Sequence, residues 1–108
     1  MQACLRAIMA IGSVASLSTH VLDTSLGRPA AGVRVELSRD GAAVAVAETD
    51  ADGRALLADD LDAGTYRLAF SPPSEFFTRV ELEIVLAGGH YHVPLLISPY
   101  GCASYRGS

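Results

Sequence analysis

The sequence predicts an all-β fold, an eight-stranded β-sandwich, on three observations. From Leu17 onward apolar residues recur at every second position, not with the 3.6-residue period of a helix. Glycine, proline and Asp-Gly turn signals interrupt the chain at short intervals. The runs between them are short, and a strand that buries one face needs a second sheet to cover it.

Taken in order, LSTHVLD (17–23) is the first strand, and SLGRPAAG follows as a loop that Gly27, Pro29 and Gly32 keep from being helical. VRVELSR (33–39) alternates, with Val33, Val35 and Leu37 on one side and Arg34, Glu36 and Ser38 on the other. Asp40-Gly41 is a hairpin turn into AAVAVAET, and Asp50 to Gly53 turns the chain into RALLAD (54–59). After Asp62 to Gly64 comes TYRLAF (65–70). The next stretch cannot be strand interior, because Pro72-Pro73 supplies no N–H. RVELEIV (79–85) is a sixth strand with Val80, Leu82 and Ile84 inward, and Gly88-Gly89 leads to HYHVPLLIS and YGCASYR as the seventh and eighth.

The chain has 108 residues, enough for one core, and at this size assembly commonly adds stability. A net charge of -4 argues against a nucleic-acid groove, which needs a basic face. All eight basic residues are arginine. Schiff-base chemistry and a P-loop lysine are therefore excluded, and any clamp for a carbonyl or anion must be a guanidinium. Cys4 and Cys102 are too few and too far apart for a disulfide framework or a redox pair, and both read as free thiols, Cys102 partly buried and inert. Residues 1–16 form an N-terminal extension or a weak signal-like segment, with Ser13-Val14-Ala15 as a conceivable cleavage site, and 17–108 form the domain. The expected address is cytoplasmic, with periplasmic export as the alternative; no membrane partner is expected, since the apolar run is too short to span a bilayer.

A few polar residues stand out: His20, Arg54, His90, His92, and Arg106 and Ser108 at the end of the chain. Alone, His20 reads as an ordinary strand histidine and Arg54 as a solvated turn arginine. His90 and His92 are two apart on a strand, so they share a face with Cβ atoms roughly 7 Å apart. Such a pair could chelate zinc if His20 supplied a third ligand, but no acidic or cysteine ligand lies nearby in sequence.

Four stretches together carry a resemblance: LSTHVLD followed by GRPAAGVRVEL, then TDADGRALL, HYHVPLLISP and the closing YRGS. The chain resembles the transthyretin-related family and, within it, the 5-hydroxyisourate hydrolases of purine breakdown. The middle block alone also looks like other prealbumin-type sandwich modules; HYHVP and YRGS are the specific part. The resemblance implies a transthyretin-like (prealbumin-like) sandwich that pairs edge to edge, two dimers forming a homotetramer with active sites in the channel between them. It implies that 5-hydroxyisourate is hydrolysed to 2-oxo-4-hydroxy-4-carboxy-5-ureidoimidazoline without metal or organic cofactor. The implied catalytic residues are His20, Arg54, His92 and Ser108, with Arg54, Tyr105, Arg106, Gly107 and Ser108 binding substrate. The family usually has a short helix between strands five and six; the brevity of residues 71–78 implies that it is missing here. GCAS (101–104) also replaces a stretch that is usually richer in aromatic and hydroxyl groups.

The residue types fit that chemistry. Opening a cyclic amide with water needs a base that works near neutral pH, as histidine does, and donors where the carbonyl oxygen gathers charge, as guanidinium provides. Two other readings remain at this point: a carrier that uses the same channel without chemistry, and a non-catalytic sandwich module of a larger protein.

Overall fold

The computed structural model describes residues 14–107. Its strands are β1 (Ala15–Asp23), β2 (Arg28–Pro29), β3 (Arg34–Arg39), β4 (Ala42–Glu48), β5 (Arg54–Leu61), β6 (Gly64–Ser71), β7 (Val80–Leu86), β8 (Gly89–His92), β9 (Leu95–Ile97) and β10 (Cys102–Ser104). The described residues contain no helix.

Two sheets face one another. One has four antiparallel strands in the order β4-β3-β6-β7. The other is organised on β1, which is paired along both of its edges. Its first part lies antiparallel to β5 and parallel to β8, and its end antiparallel to β2 and parallel to β9, with β10 outside β9.

The period-two pattern explains what lies between the sheets. Ala15, Leu17 and Val21 of β1, Leu57 and Leu61 of β5, and Leu95 and Ile97 of β9 point inward. They meet Val35 and Leu37 of β3, Tyr66, Leu68 and Phe70 of β6, and Leu86 of β7. Val80, Leu82 and Ile84 pack against this core while staying partly exposed. Its two buried polar side chains are both satisfied. Thr19 Oγ1 donates to the Val93 carbonyl at 2.6 Å, and Thr49 Oγ1 donates to the Ala30 carbonyl at 2.7 Å while accepting the Val33 N–H at 2.9 Å. Such groups would be costly to bury unpaired.

The structure departs from the sequence reading in three places. The first strand starts at Ala15, not Leu17: Ala15 is fully buried and pairs with Leu61 and Gly89, so two residues assigned to the extension belong to the sandwich. The rest of that segment, residues 1–13, lies outside the described residues. HYHVPLLIS is two strands, because Pro94 has no N–H to continue a ladder and the pairing breaks at Val93-Pro94. The loop after β1 contributes a two-residue strand, with Leu22 opposite Pro29 and Asp23 opposite Arg28. Between β6 and β7, Ser74 Oγ accepts the N–H groups of Phe76 and Phe77 at 3.1 and 2.9 Å, so a serine turn stands where a helix would be longer.

The turn before β5 is the joint that locates the polar face. Asp50 Oδ1 accepts the N–H of Asp52 at 2.9 Å and of Arg54 at 3.0 Å, and the Gly53 carbonyl accepts the Val21 N–H at 2.8 Å. Gly53 has φ 75°, and a Cβ on it would sit 2.5 Å from the Val21 carbonyl oxygen. Gly53→Ala is expected to lower unfolding stability by about 2 kcal/mol or more, from left-handed strain plus the clash. Urea unfolding checks this, and an unchanged midpoint would show that the turn can move off β1.

Candidate active site

On β1 the residues facing away from the core are Ser16, Ser18 and His20, alternating with the buried Leu17, Thr19 and Val21. Register then decides their neighbours. Antiparallel pairing sets His20 opposite Arg54, and parallel pairing sets Ser16 opposite His90 and Ser18 opposite His92. Four polar residues from three strands thus lie side by side on one face: His20, Arg54, His90 and His92. The face lines an open cleft of about 680 Å³ bounded by Ser18, Glu48, Asp50, Arg54, His90 and His92, among others. His20 lies in an adjoining depression with Leu22, Pro29 and Asp52, and Arg54 borders both.

Each histidine is held differently. His20 Nε2 lies 2.8 Å from the Asp52 carbonyl. A carbonyl only accepts, so this nitrogen carries the hydrogen and Nδ1 is the free one in the neutral ring. His90 is bonded at both nitrogens, Nδ1 to Ser16 Oγ at 2.6 Å and Nε2 to Ser18 Oγ at 3.0 Å. His92 Nδ1 lies 2.8 Å from the same Ser18 Oγ. Burial lowers the pKa of His92 below the ordinary 6.5, and the neighbouring His20, Arg54 and His90 push it further the same way. Both effects favour the uncharged ring. The Arg54 guanidinium makes no salt bridge among the described residues, although Glu48 and Asp50 border its cleft.

The C-terminal segment reaches the site through its backbone. The Gly107 N–H donates to the His92 carbonyl at 2.7 Å, in the same register as the β9-β10 pairing. A Cβ at Gly107 would be 2.8 Å from His92 Cδ2, so a glycine lets the chain pass this close to the ring. Tyr105 is exposed, and the Arg106 guanidinium lies 4.2 Å from the centre of the Tyr91 ring. Tyr91 alternates with His90 and His92 and packs against the core, so Arg106 is directed away from the cleft. Neither Tyr105 nor Arg106 lines the cleft. Ser108 lies outside the described residues.

The zinc alternative has no support in the geometry: among the described residues no group of three or more His, Cys, Asp or Glu is arranged to hold a metal. Cys102 is exposed on β10, not partly buried, because the short outer strand turns that side chain to solvent; Cys4 is outside the described residues. Sequence reasoning missed Ser16 and Ser18, which join the histidines, and Asp50 and Asp52, which fix Arg54 and His20. The signal for the serines was available: Ser16, Ser18 and His20 are spaced by two, hence on one face.

A two-sheet sandwich carrying histidines and an arginine on the outer face of one sheet is the class to which these observations lead. Residues 17–107 match the HIUase/Transthyretin family, and the chain belongs to it. It is 42% identical over 115 residues to the 5-hydroxyisourate hydrolase of Caulobacter vibrioides, covering 88% of this chain and 100% of that protein. Among solved structures it is similar to Klebsiella pneumoniae 5-hydroxyisourate hydrolase, with TM-score 0.78, 43% identity, and coverage of 86% of this chain and 99% of that one. It is also similar to transthyretin from Sparus aurata, with TM-score 0.73, 26% identity, and coverage of 84% and 95%.

The depressed basicity of His92 is testable without substrate. Its ring should titrate below pH 6.5 by NMR. In Arg54→Ala the midpoint should move up, because removing a neighbouring positive charge makes the imidazolium less costly. An unchanged midpoint would mean that Arg54 is too far away to act on the ring.

Proposed function

We propose that this protein hydrolyses 5-hydroxyisourate to 2-oxo-4-hydroxy-4-carboxy-5-ureidoimidazoline in urate degradation. The observation that carries the reading is the register of β1, which sets His92 and Arg54 along one cleft, with the Arg54 guanidinium in no salt bridge among the described residues. The likeness to 5-hydroxyisourate hydrolases over nearly the whole described chain supports it.

In this reading His92 is the base. Its Nε2 takes a proton from water as the water oxygen bonds to the carbonyl carbon of the ring amide. Arg54 donates to the oxyanion that forms, parallel N–H groups suiting a planar, carbonyl-rich ring. Collapse of the tetrahedral intermediate breaks the C–N bond, and the leaving nitrogen recovers the proton from His92. His20, whose Nε2–H is engaged by Asp52, orients the substrate from the far side of Arg54. Gly107 bounds the site beside His92. No metal or organic cofactor enters these steps. The site is open in one protomer and Leu56, on its wall, is 60% exposed. This supports a homotetramer, a dimer of dimers, in which a second copy covers the cleft.

The test is an ultraviolet assay of freshly generated 5-hydroxyisourate in the presence of chelator. The protein should speed decay far beyond the spontaneous rate, and Arg54→Lys should lose about 100-fold or more in kcat/KM, because a point charge cannot present two parallel donors. No acceleration by the wild-type protein would refute the reading; a lysine variant with most of its activity would reduce Arg54 to a bystander.

A second expectation concerns the terminus. Gly107→Ala should push the His92 ring aside and cut activity about tenfold or more, since small misplacements of a catalytic group are costly, while circular dichroism stays native. Full activity would show that the chain end can withdraw from the ring without consequence.

A further inference from the structure

The contacts that tie the histidines together have a direction. Ser18 Oγ lies 3.0 Å from His90 Nε2 and 2.8 Å from His92 Nδ1, and Ser16 Oγ lies 2.6 Å from His90 Nδ1. A hydroxyl has one hydrogen, so Ser18 can donate to one of its two rings and must accept from the other. A neutral imidazole likewise has one N–H and one lone pair. When Ser18 donates to one of the rings, the four groups form a line in which every hydrogen points the same way, and two such arrangements exist. In one, His92 Nδ1–H donates to Ser18, Ser18 donates to His90 Nε2, and His90 Nδ1–H donates to Ser16, leaving His92 Nε2 with a lone pair. In the other, every bond is reversed and His92 Nε2 carries hydrogen.

We propose that Ser16, His90 and Ser18 form a proton relay that switches His92 between base and acid without giving it a charge. The proposal rests on His92 being the base of the hydrolysis. As Nε2 takes the proton of the attacking water, the Nδ1 proton passes to Ser18, the Ser18 hydrogen to His90 Nε2, and the His90 Nδ1 hydrogen to Ser16. Ser16 releases its own hydroxyl proton to solvent. One proton enters at His92 and one leaves at Ser16; no ring becomes cationic, and the reverse passage supplies the leaving nitrogen.

The surroundings explain why such a route is worth having. A protonated His92 would stand among His20, Arg54 and His90, with Glu48 and Asp50 as the carboxylates bordering the cleft, and burial and the Arg54 guanidinium disfavour its cation. A relay keeps both rings neutral throughout. It also gives a role to His90, which the hydrolysis otherwise leaves unused, and to the exposed position of Ser16-His90 at the outer end of the line. Ser16, Ser18 and His90 are positioning residues in this scheme, because they act through His92.

The test uses Ser18→Ala, which cuts the line without altering either ring, and Ser16→Ala, which removes its far end, whose hydrogen bond is to His90 and not to His92. Nitrogen-15 NMR of the substrate-free protein should find His92 in the Nδ1–H form, moving to the Nε2–H form in Ser18→Ala. In turnover, each variant should lose about tenfold in kcat with KM unchanged. A bowed proton inventory in mixed light and heavy water for the wild type should become linear in both. An unchanged tautomer in Ser18→Ala, or full kcat in Ser16→Ala with a linear wild-type inventory, would overturn the relay. If the wild type failed to hydrolyse 5-hydroxyisourate, the functional reading would fall and the tautomer measurement alone would decide whether the line exists.

Discussion

The pairing of β1 along both its edges is the constraint on which the site depends. A strand inside a sheet has its side-chain alternation fixed twice, once by each neighbour, and a slip of one residue against either would send its polar set into the core. Here Ala15, Leu17, Thr19 and Val21 are fully or almost fully buried, so slippage is energetically closed. The outward residues inherit that precision. His20 stands opposite Arg54 because the Asp50-to-Gly53 turn is hydrogen-bonded to Val21, and His92 stands opposite Ser18 because β8 runs parallel to β1.

A polar face on the outside of a sandwich also resolves a conflict. Histidine and arginine side chains in the core would have to be desolvated and paired, at a cost of several kcal/mol for each charge. On the outer face they remain at the edge of solvent, where a lowered basicity for His92 arises from partial burial and the neighbouring His20, Arg54 and His90. The core keeps the strands in place, while the outer face carries the histidines and Arg54. A different concavity, between Phe76, Ile97 and Tyr100, offers apolar walls, with the Phe76 and Tyr100 rings 5.8 Å apart, but none of the histidines or Arg54.

Much of this was legible in the residues. Alternation located every major strand, and the two-residue spacing of His90 and His92 placed them on one face. Residue names alone do not contain register between distant strands. Ser16 and Ser18 became meaningful only when β8 was laid beside β1, some 74 residues away in sequence. The break at Pro94 was readable from its missing N–H, yet the apolar run on both sides hid it. Cys102 was misjudged because three residues of an outer strand leave no alternation to read. Arg106 is the reverse case: the resemblance put it at the site, whereas in the structure it rests on Tyr91, on the other side of the strand.

The central claim is that substrate is held where His20, Arg54 and His92 meet. The most direct test is NMR mapping of an unreactive, planar, urate-like heterocycle titrated into the protein. Chemical-shift changes centred on His20, Arg54 and His92, and lost in Arg54→Ala, are the predicted result. Changes centred instead on Phe76 and Tyr100, with the histidine face undisturbed, would contradict it.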